Sequence, residues 1–168
     1  MKFLVISDTH GRADRLAAVF ARTHADVLFF LGDGLRDPAS TAGGPPTVRA
    51  VRGNCDFFGS GDTPETRVED FGATRFFLTH GHRYGVKYSP GALAAAAAVA
   101  GADVALFGHT HVPYTATLPA GASVGGVVLA KPLLLLCPGS LGEPRGGAPS
   151  FATVTVRPNG ILAGFGEL

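Results

Sequence analysis

Residues 3–11 read Phe3-Leu4-Val5-Ile6-Ser7-Asp8-Thr9-His10-Gly11. An apolar, partly β-branched run passes without interruption into Asp8 and His10, the pattern of a short strand that ends at a polar loop. The following segment, Arg12–His24, carries Leu16, Ala17, Phe20 and Ala21 at helical spacing. A second apolar run, Val27–Leu31, then ends at Gly32-Asp33-Gly34. The opening of the chain therefore predicts strand, helix and strand, with a carboxylate just past each strand.

The same grammar continues. Asp37–Pro46 is rich in Pro and Gly and predicts a loop, and Thr47–Arg52 predicts a third strand ending at Gly53-Asn54. Arg67–Phe71 and Thr74–Thr79 flank Gly72-Ala73 as a hairpin whose second strand ends at His80-Gly81-His82. Ser89-Pro90 reads as an N-cap and a first helical proline before the alanine-rich helix Gly91–Ala100, closed by Gly101. So many alanines suit a helix lying close to a sheet. Ala102–Phe107 predicts a strand ending at Gly108-His109-Thr110-His111. Leu133–Leu136, Phe151–Val156 and Ile161–Phe165 predict three more, the last two joined by Pro158-Asn159-Gly160. Strands and helices alternate early and strands dominate late, which predicts an α/β fold of two packed sheets with helices outside.

Composition narrows the function. A chain of 168 residues suits one domain, residues 1–168, and its 46% apolar and 16% charged content excludes a disordered or coiled-coil chain. The net charge is +1 with Lys and Arg scattered, so no dedicated nucleic-acid surface is expected. The longest apolar stretch, Val127–Cys137, is broken by Lys131 and Pro132 and predicts no membrane segment. The N-terminus shows no leader pattern, and Cys55 and Cys137 form no disulfide framework; a cytoplasmic protein is the expectation.

Five apolar runs end in residues able to bind a hard or borderline metal: Asp8 with His10, Asp33, Asn54, His80, and His109 with His111. Singly, an Asp or Asn after a strand is a turn former or cap, and a lone histidine such as His24 is a surface or helix-end residue. Together they form a pattern, because loops after strand carboxyl ends are where α/β sheets bind ligands. Seven oxygen and imidazole donors are too many for one tetrahedral zinc and suit two adjacent ions. A carboxylate such as Asp33 can bridge ions roughly 3.5–4 Å apart, and such a pair acidifies a shared water and clamps a phosphate for in-line displacement. Glycines beside nearly every donor let metal and phosphate approach the backbone.

Taken in order, Asp8-Thr-His10, Gly32-Asp33, Gly53-Asn54, His80-Gly-His82 and Gly108-His109-Thr-His111 resemble the five blocks of the calcineurin-like metallophosphoesterase superfamily. The short length, Asn54-Cys55-Asp56, Pro138-Gly139-Ser140 and Pro144-Arg145 resemble its small YfcE-type phosphodiesterases. The resemblance implies a four-layer α/β/β/α sandwich and a dinuclear centre often occupied by manganese, with iron, nickel, zinc and magnesium also compatible. It implies that Asp8, His10, Asp33 and His111 bind one ion and Asp33, Asn54, His80 and His109 the other, with His82 a neighbour. The implied activity is hydrolysis of a small phosphate ester, a diester ahead of a monoester, by a hydroxide between two ions. The alternative is a non-catalytic scaffold, since the fold also resembles the eukaryotic retromer subunit; that subunit lacks some of the histidines present here.

The resemblance implies a catalytic set of Asp33, Asn54, Cys55 and His109, with Cys55 and Arg145 as candidate contacts to substrate phosphate. Many relatives have a histidine where this chain has Cys55. A thiol, with an ordinary pKa of about 8.5, protonates a leaving oxygen less readily, which predicts a preference for activated esters; a space-filling role is the alternative. Asp37 and Asp56 either orient ligating histidines or cap loops. Arg145 either meets phosphate or is a surface residue, and Phe57-Phe58 with Gly59–Pro64 forms either an apolar lid or an ordinary loop. Oligomeric state is open, a homodimer included.

Overall fold

Fifteen helices and strands follow one another in the computed structural model, which describes residues 1–57 and 61–168. They run β1 (Lys2–Ile6), α1 (Ala13–Arg22), β2 (Val27–Phe30), α2 (Arg36–Ser40), β3 (Thr47–Ala50), β4 (Thr66–Phe71), β5 (Thr74–Thr79) and α3 (Gly91–Val99). After these come β6 (Val104–Leu106), β7 (Pro113–Leu118), β8 (Ser123–Val124), β9 (Val127–Val128), β10 (Leu133–Pro138), β11 (Ser150–Arg157) and β12 (Gly160–Glu167).

The first sheet has the order β12-β11-β1-β2-β3 and the second β4-β5-β6-β10-β7, with β8 and β9 a separate ribbon. In the first, β1, β2 and β3 are parallel, while β11 joins β1 antiparallel with Lys2 opposite Thr155. In the second, β5, β6 and β10 are parallel, flanked by antiparallel β4 and β7. A parallel neighbour requires a crossover, which α1, α2 and α3 supply.

Alternation along β1 shows how the layers form. Phe3 and Val5 point into a cluster shared with Phe76, Leu78, Val104 and Leu106 of the second sheet. Leu4 and Ile6 point the other way, onto Leu16, Val19 and Phe20 of α1. Beyond the second sheet, Phe77, Ala105 and Leu135 meet Leu93, Ala94 and Ala97 of α3. Helix, sheet, sheet and helix thus stack around three apolar seams, and Phe3–Ile6 of β1 is apolar throughout because both its faces are covered. Phe3, Phe29, Phe71 and Phe76 interlock in the central seam, with ring centroids 4.8 to 6.0 Å apart. Truncating one such buried ring to alanine costs about 3–5 kcal/mol.

Several local expectations need amendment. The Pro-rich stretch after Asp33 contains the short helix α2. In α3 the proline occupies the cap position, its carbonyl accepting the first helical bond from Ala94, while the Ser89 hydroxyl accepts from the Gly91 N–H at 3.1 Å. The strands β7, β8 and β9 lack a sequence signal, because β7 is an edge strand with exposed residues and β8 and β9 are two residues each. Among the described residues no helix is long and apolar enough to cross a membrane.

Candidate metal centre

Each candidate ligand lies just past the carboxyl end of a parallel strand: Asp8 and His10 after β1, Asp33 after β2, Asn54 after β3, His80 after β5, and His109 and His111 after β6. Face-to-face packing of the sheets brings these ends together. The His111 and His80 Nε2 atoms lie 3.0 and 3.9 Å from Asp8 Oδ1, and His80 Nε2 lies 3.3 Å from Asp33 Oδ2. His10 Nε2 lies 3.8 Å from Asp8 Oδ1 and 3.4 Å from His111 Nε2.

These atoms fall into three groups, each within 4.8 Å: Asp8, His10 and His111; Asp33, His80 and His109; and His10, Asp33 and Cys55. Asp33 belongs to two of them. Buried polar atoms normally find partners, yet Asp8 Oδ1, Asn54 Oδ1 and His80 Nε2 have no hydrogen bond, and neither do Thr9 Oγ1 and His82 Nδ1. Two of these orphans, Asp8 Oδ1 and His80 Nε2, lie 3.9 Å apart at the ends of two strands, as donors meant for a cation would. The residues fit binding of divalent metal.

Their orientation is built in. His80 Nδ1 donates to the Leu31 carbonyl at 2.7 Å and His111 Nδ1 to the Glu143 carbonyl at 2.6 Å, so in the neutral ring each Nε2 lone pair faces the site. The Ser7 hydroxyl and the His109 N–H donate to Asp8 Oδ2, freeing Oδ1. The backbone carries a second signature. Among the described residues the non-glycine residues with positive φ are Asp8, His10, Asp33, His109 and His111, at 46° to 69°. That conformation costs on the order of 1 kcal/mol per residue and persists only where the surroundings impose it, as at functional sites.

Burial disfavours charge throughout the site, but neighbours outweigh it at some groups. Despite its burial Asp33 lies well below the usual carboxylate range, held there by His80 and the Cys55 amide. His80 is raised, burial being outweighed by Asp33 and Asp8, and His111 is raised chiefly by its contact with Asp8. His109 is pushed down to about 4 by burial and the charge on His80. Burial and the Asp33 carboxylate push the Cys55 thiol up to about 11, so it keeps its proton.

A match to the family model for the calcineurin-like phosphoesterase superfamily domain spans residues 1–159. The chain belongs to that superfamily. This calcineurin-like phosphoesterase is 33% identical over 147 residues to a protein named probable metallophosphoesterase YsnB of Bacillus subtilis, covering 86% of this chain and 78% of the relative. It is 30% identical over 179 residues to phosphodiesterase YfcE of Escherichia coli, covering 89% and 84%. A solved structure of a predicted phosphoesterase from Streptococcus pneumoniae superposes with a TM-score of 0.76 at 29% identity, covering 99% of this chain and 88% of that one.

The remaining candidates divide. Asp56 touches no histidine; its carboxylate accepts from the N–H groups of Asp33, Gly34, Leu35 and Gly53 at 2.8–3.0 Å, clamping two ligand loops. Asp37 likewise ties Gly11 to the second loop at 3.0 Å. His82 lies beside His80 and His109, tilted to the first and edge-on to the second, with ring centroids 5.5 and 6.1 Å away. Arg145 lines a cleft next to the site, and its charge reaches His111. Phe57 is 80% exposed, and the Phe58–Ser60 part of the lid expectation lies outside the described residues.

Of the supporting residues, Ser7 and Glu143 escape a reading of the sequence, and Ser140 enters it only within Pro138-Gly139-Ser140, without a role. The loop after β10 contributes no ligand but closes the site: the Ser140 hydroxyl and the Gly142 N–H both donate to the Asp8 carbonyl at 2.8 Å.

Proposed function

We propose that this phosphoesterase hydrolyses phosphodiesters at a centre of two divalent metal ions, with residues 1–168 acting as one unit. Asp8, His10, Asp33 and His111 would hold one ion, and Asp33, Asn54, His80 and His109 the other. The observation that carries this reading is the approach of His80 Nε2 and His111 Nε2 to the buried Asp8 Oδ1, at 3.9 and 3.0 Å, with Asp8 Oδ1 and His80 Nε2 both lacking a hydrogen bond. Bound there, divalent ions such as manganese acidify water and neutralise phosphate charge.

The reaction adds water to phosphorus and breaks the bond to the departing alcohol, whose oxygen gains a proton. The chain's own groups divide the rest of the task. Asp33, strongly acidic and anchored by the Cys55 amide at 2.7 Å, keeps its negative charge through the neutral range. His80 and His111 are locked through Nδ1 and present Nε2. Cys55 is exposed beside Asp33 and His10, where it can hold a proton near a leaving oxygen. The site opens to solvent through a cleft of about 310 Å³ lined by His10, Asp33, Cys55 and Asp56, wide enough for a phosphate ester. A scaffold role would leave the strained backbone at Asp8, His10, Asp33, His109 and His111 without a reason. The similarity to YfcE, a phosphodiesterase by name, supports a diester ahead of a monoester.

The test is hydrolysis of bis(4-nitrophenyl) phosphate with manganese, after chelation, and by Asp33→Asn. Activity confined to the metal-supplied wild type supports the reading; equal rates in all three samples remove it.

A further inference from the structure

A cleft beside His109 and His111 takes no part in the chemistry above. It encloses about 470 Å³ and is walled by Val86, Phe107, Val112 and Tyr114, with Lys87 and Arg145 contributing positive charge. Thr110, which also lines it, lies between the two histidines in sequence, and the Arg145 N–H donates to the His111 carbonyl at 3.0 Å. Cleft and metal centre therefore share a wall. The volume falls in the range of small-ligand sites.

Its chemistry is selective. The Phe107 and Tyr114 rings lie 6.0 Å apart and tilted by 56°, and Tyr114 is 39% exposed, so a ring face is available to a flat group. No carboxylate lines the cleft. Half of the chain's fourteen Lys and Arg residues are spoken for: Arg12, Arg49, Arg52, Arg67, Arg75, Arg83 and Lys131 each pair with an acid. Among the described residues Lys87 and Arg145 have no such partner. Two unpaired cations at the edge of an apolar, ring-bearing cleft are complementary to a flat group that carries an anion.

We infer that this cleft receives one ester group of the substrate and selects a flat ring bearing a second negative charge, the chemistry of a nucleotide. The inference rests on the hydrolase reading of the adjoining centre. Lys87 and Arg145 meet the second anion and Tyr114 the ring, while the reacting phosphate stays at the metal centre.

The test compares bis(4-nitrophenyl) phosphate with bis(3-carboxy-4-nitrophenyl) phosphate, which differ in the extra anion on each ring. Wild type should favour the carboxylated diester at low salt. Lys87→Glu should lower that preference about tenfold, mainly through KM, because it reverses a charge at the edge of the cleft. Tyr114→Ala should weaken both diesters and Tyr114→Phe restore them. An unchanged preference in Lys87→Glu overturns the inference. If wild type cleaves neither diester, the hydrolase reading fails separately, and binding of 5-hydroxy-2-nitrobenzoate is then followed by amide chemical shifts. Perturbation at Thr110 and Val112 that Lys87→Glu abolishes supports the cleft; its absence overturns it.

Discussion

The Ser7 hydroxyl donates to Asp8 Oδ2 at 2.5 Å, leaving Oδ1 of the same carboxylate buried and unpartnered. One oxygen is tied so that the other is aimed. Ser7→Ala should therefore leave the fold intact at a cost of about 1–3 kcal/mol, while weakening metal affinity about 10- to 100-fold. Calorimetric titration with manganese alongside thermal melting separates the two effects; unaltered affinity would show that Asp8 is held by its surroundings alone.

Gly53 tests the closeness of two ligand loops. A Cβ there would run into the Asp33 carboxylate and backbone. Gly53→Ala should displace Asp33, lose metal-dependent activity, and destabilise the metal-free chain by about 1–3 kcal/mol. Gly72→Ala is the comparison: a Cβ there meets nothing, though its φ of +63° makes it mildly unfavourable. Wild-type activity in Gly53→Ala would show that the loops can separate without harm.

Protons and metals compete for His80 and His111, both raised above their ordinary value of 6.5. In the metal-free chain a charged His80 lies against Asp8 and Asp33, a stabilisation fully present below 6.5 and lost as pH rises through the raised value. Between pH 6 and 8 the metal-free protein should therefore lose thermal stability. Metal affinity should rise over the same interval as the protons become easier to displace. Melting curves with chelator and with manganese check this; parallel curves would contradict it.

Cys55 should make turnover sensitive to the leaving group. Its thiol, pushed up to about 11, is a weak acid. Aryl diesters should be cleaved far faster than alkyl ones, and Cys55→His should narrow that gap by at least about tenfold. Equal wild-type rates on methyl and nitrophenyl esters would exclude Cys55 as proton donor.

Much of this arrangement was legible in the residue order. Runs such as Phe3–Ile6 and Val27–Leu31 are apolar throughout because both faces are covered, and Gly72-Ala73 and Pro158-Asn159 mark hairpins that form where expected. The convergence of the strand ends follows from parallel pairing, which the alternation of strands with helices implies. What stayed hidden acts through the backbone. The Glu143 carbonyl that orients His111 belongs to a residue whose side chain carries no such message. Asp56 reads either as a helper of histidines or as a loop cap, and it proves the latter: it accepts from four backbone amides, which need a partner. Edge strand β7 was missed because exposed residues leave no periodic trace.

All seven candidate ligands lie within the first 111 residues, yet the strand that delivers Asp8 is zipped between β2 and β11, and Lys2 pairs with Thr155. Contacts so distant along the chain close late in folding. During synthesis the emerging polypeptide would carry every ligand long before it could assemble the cage, because β10 and β11 follow them. If these residues hold metal as proposed, loading should therefore wait for β10 and β11, and those late strands would set when it occurs.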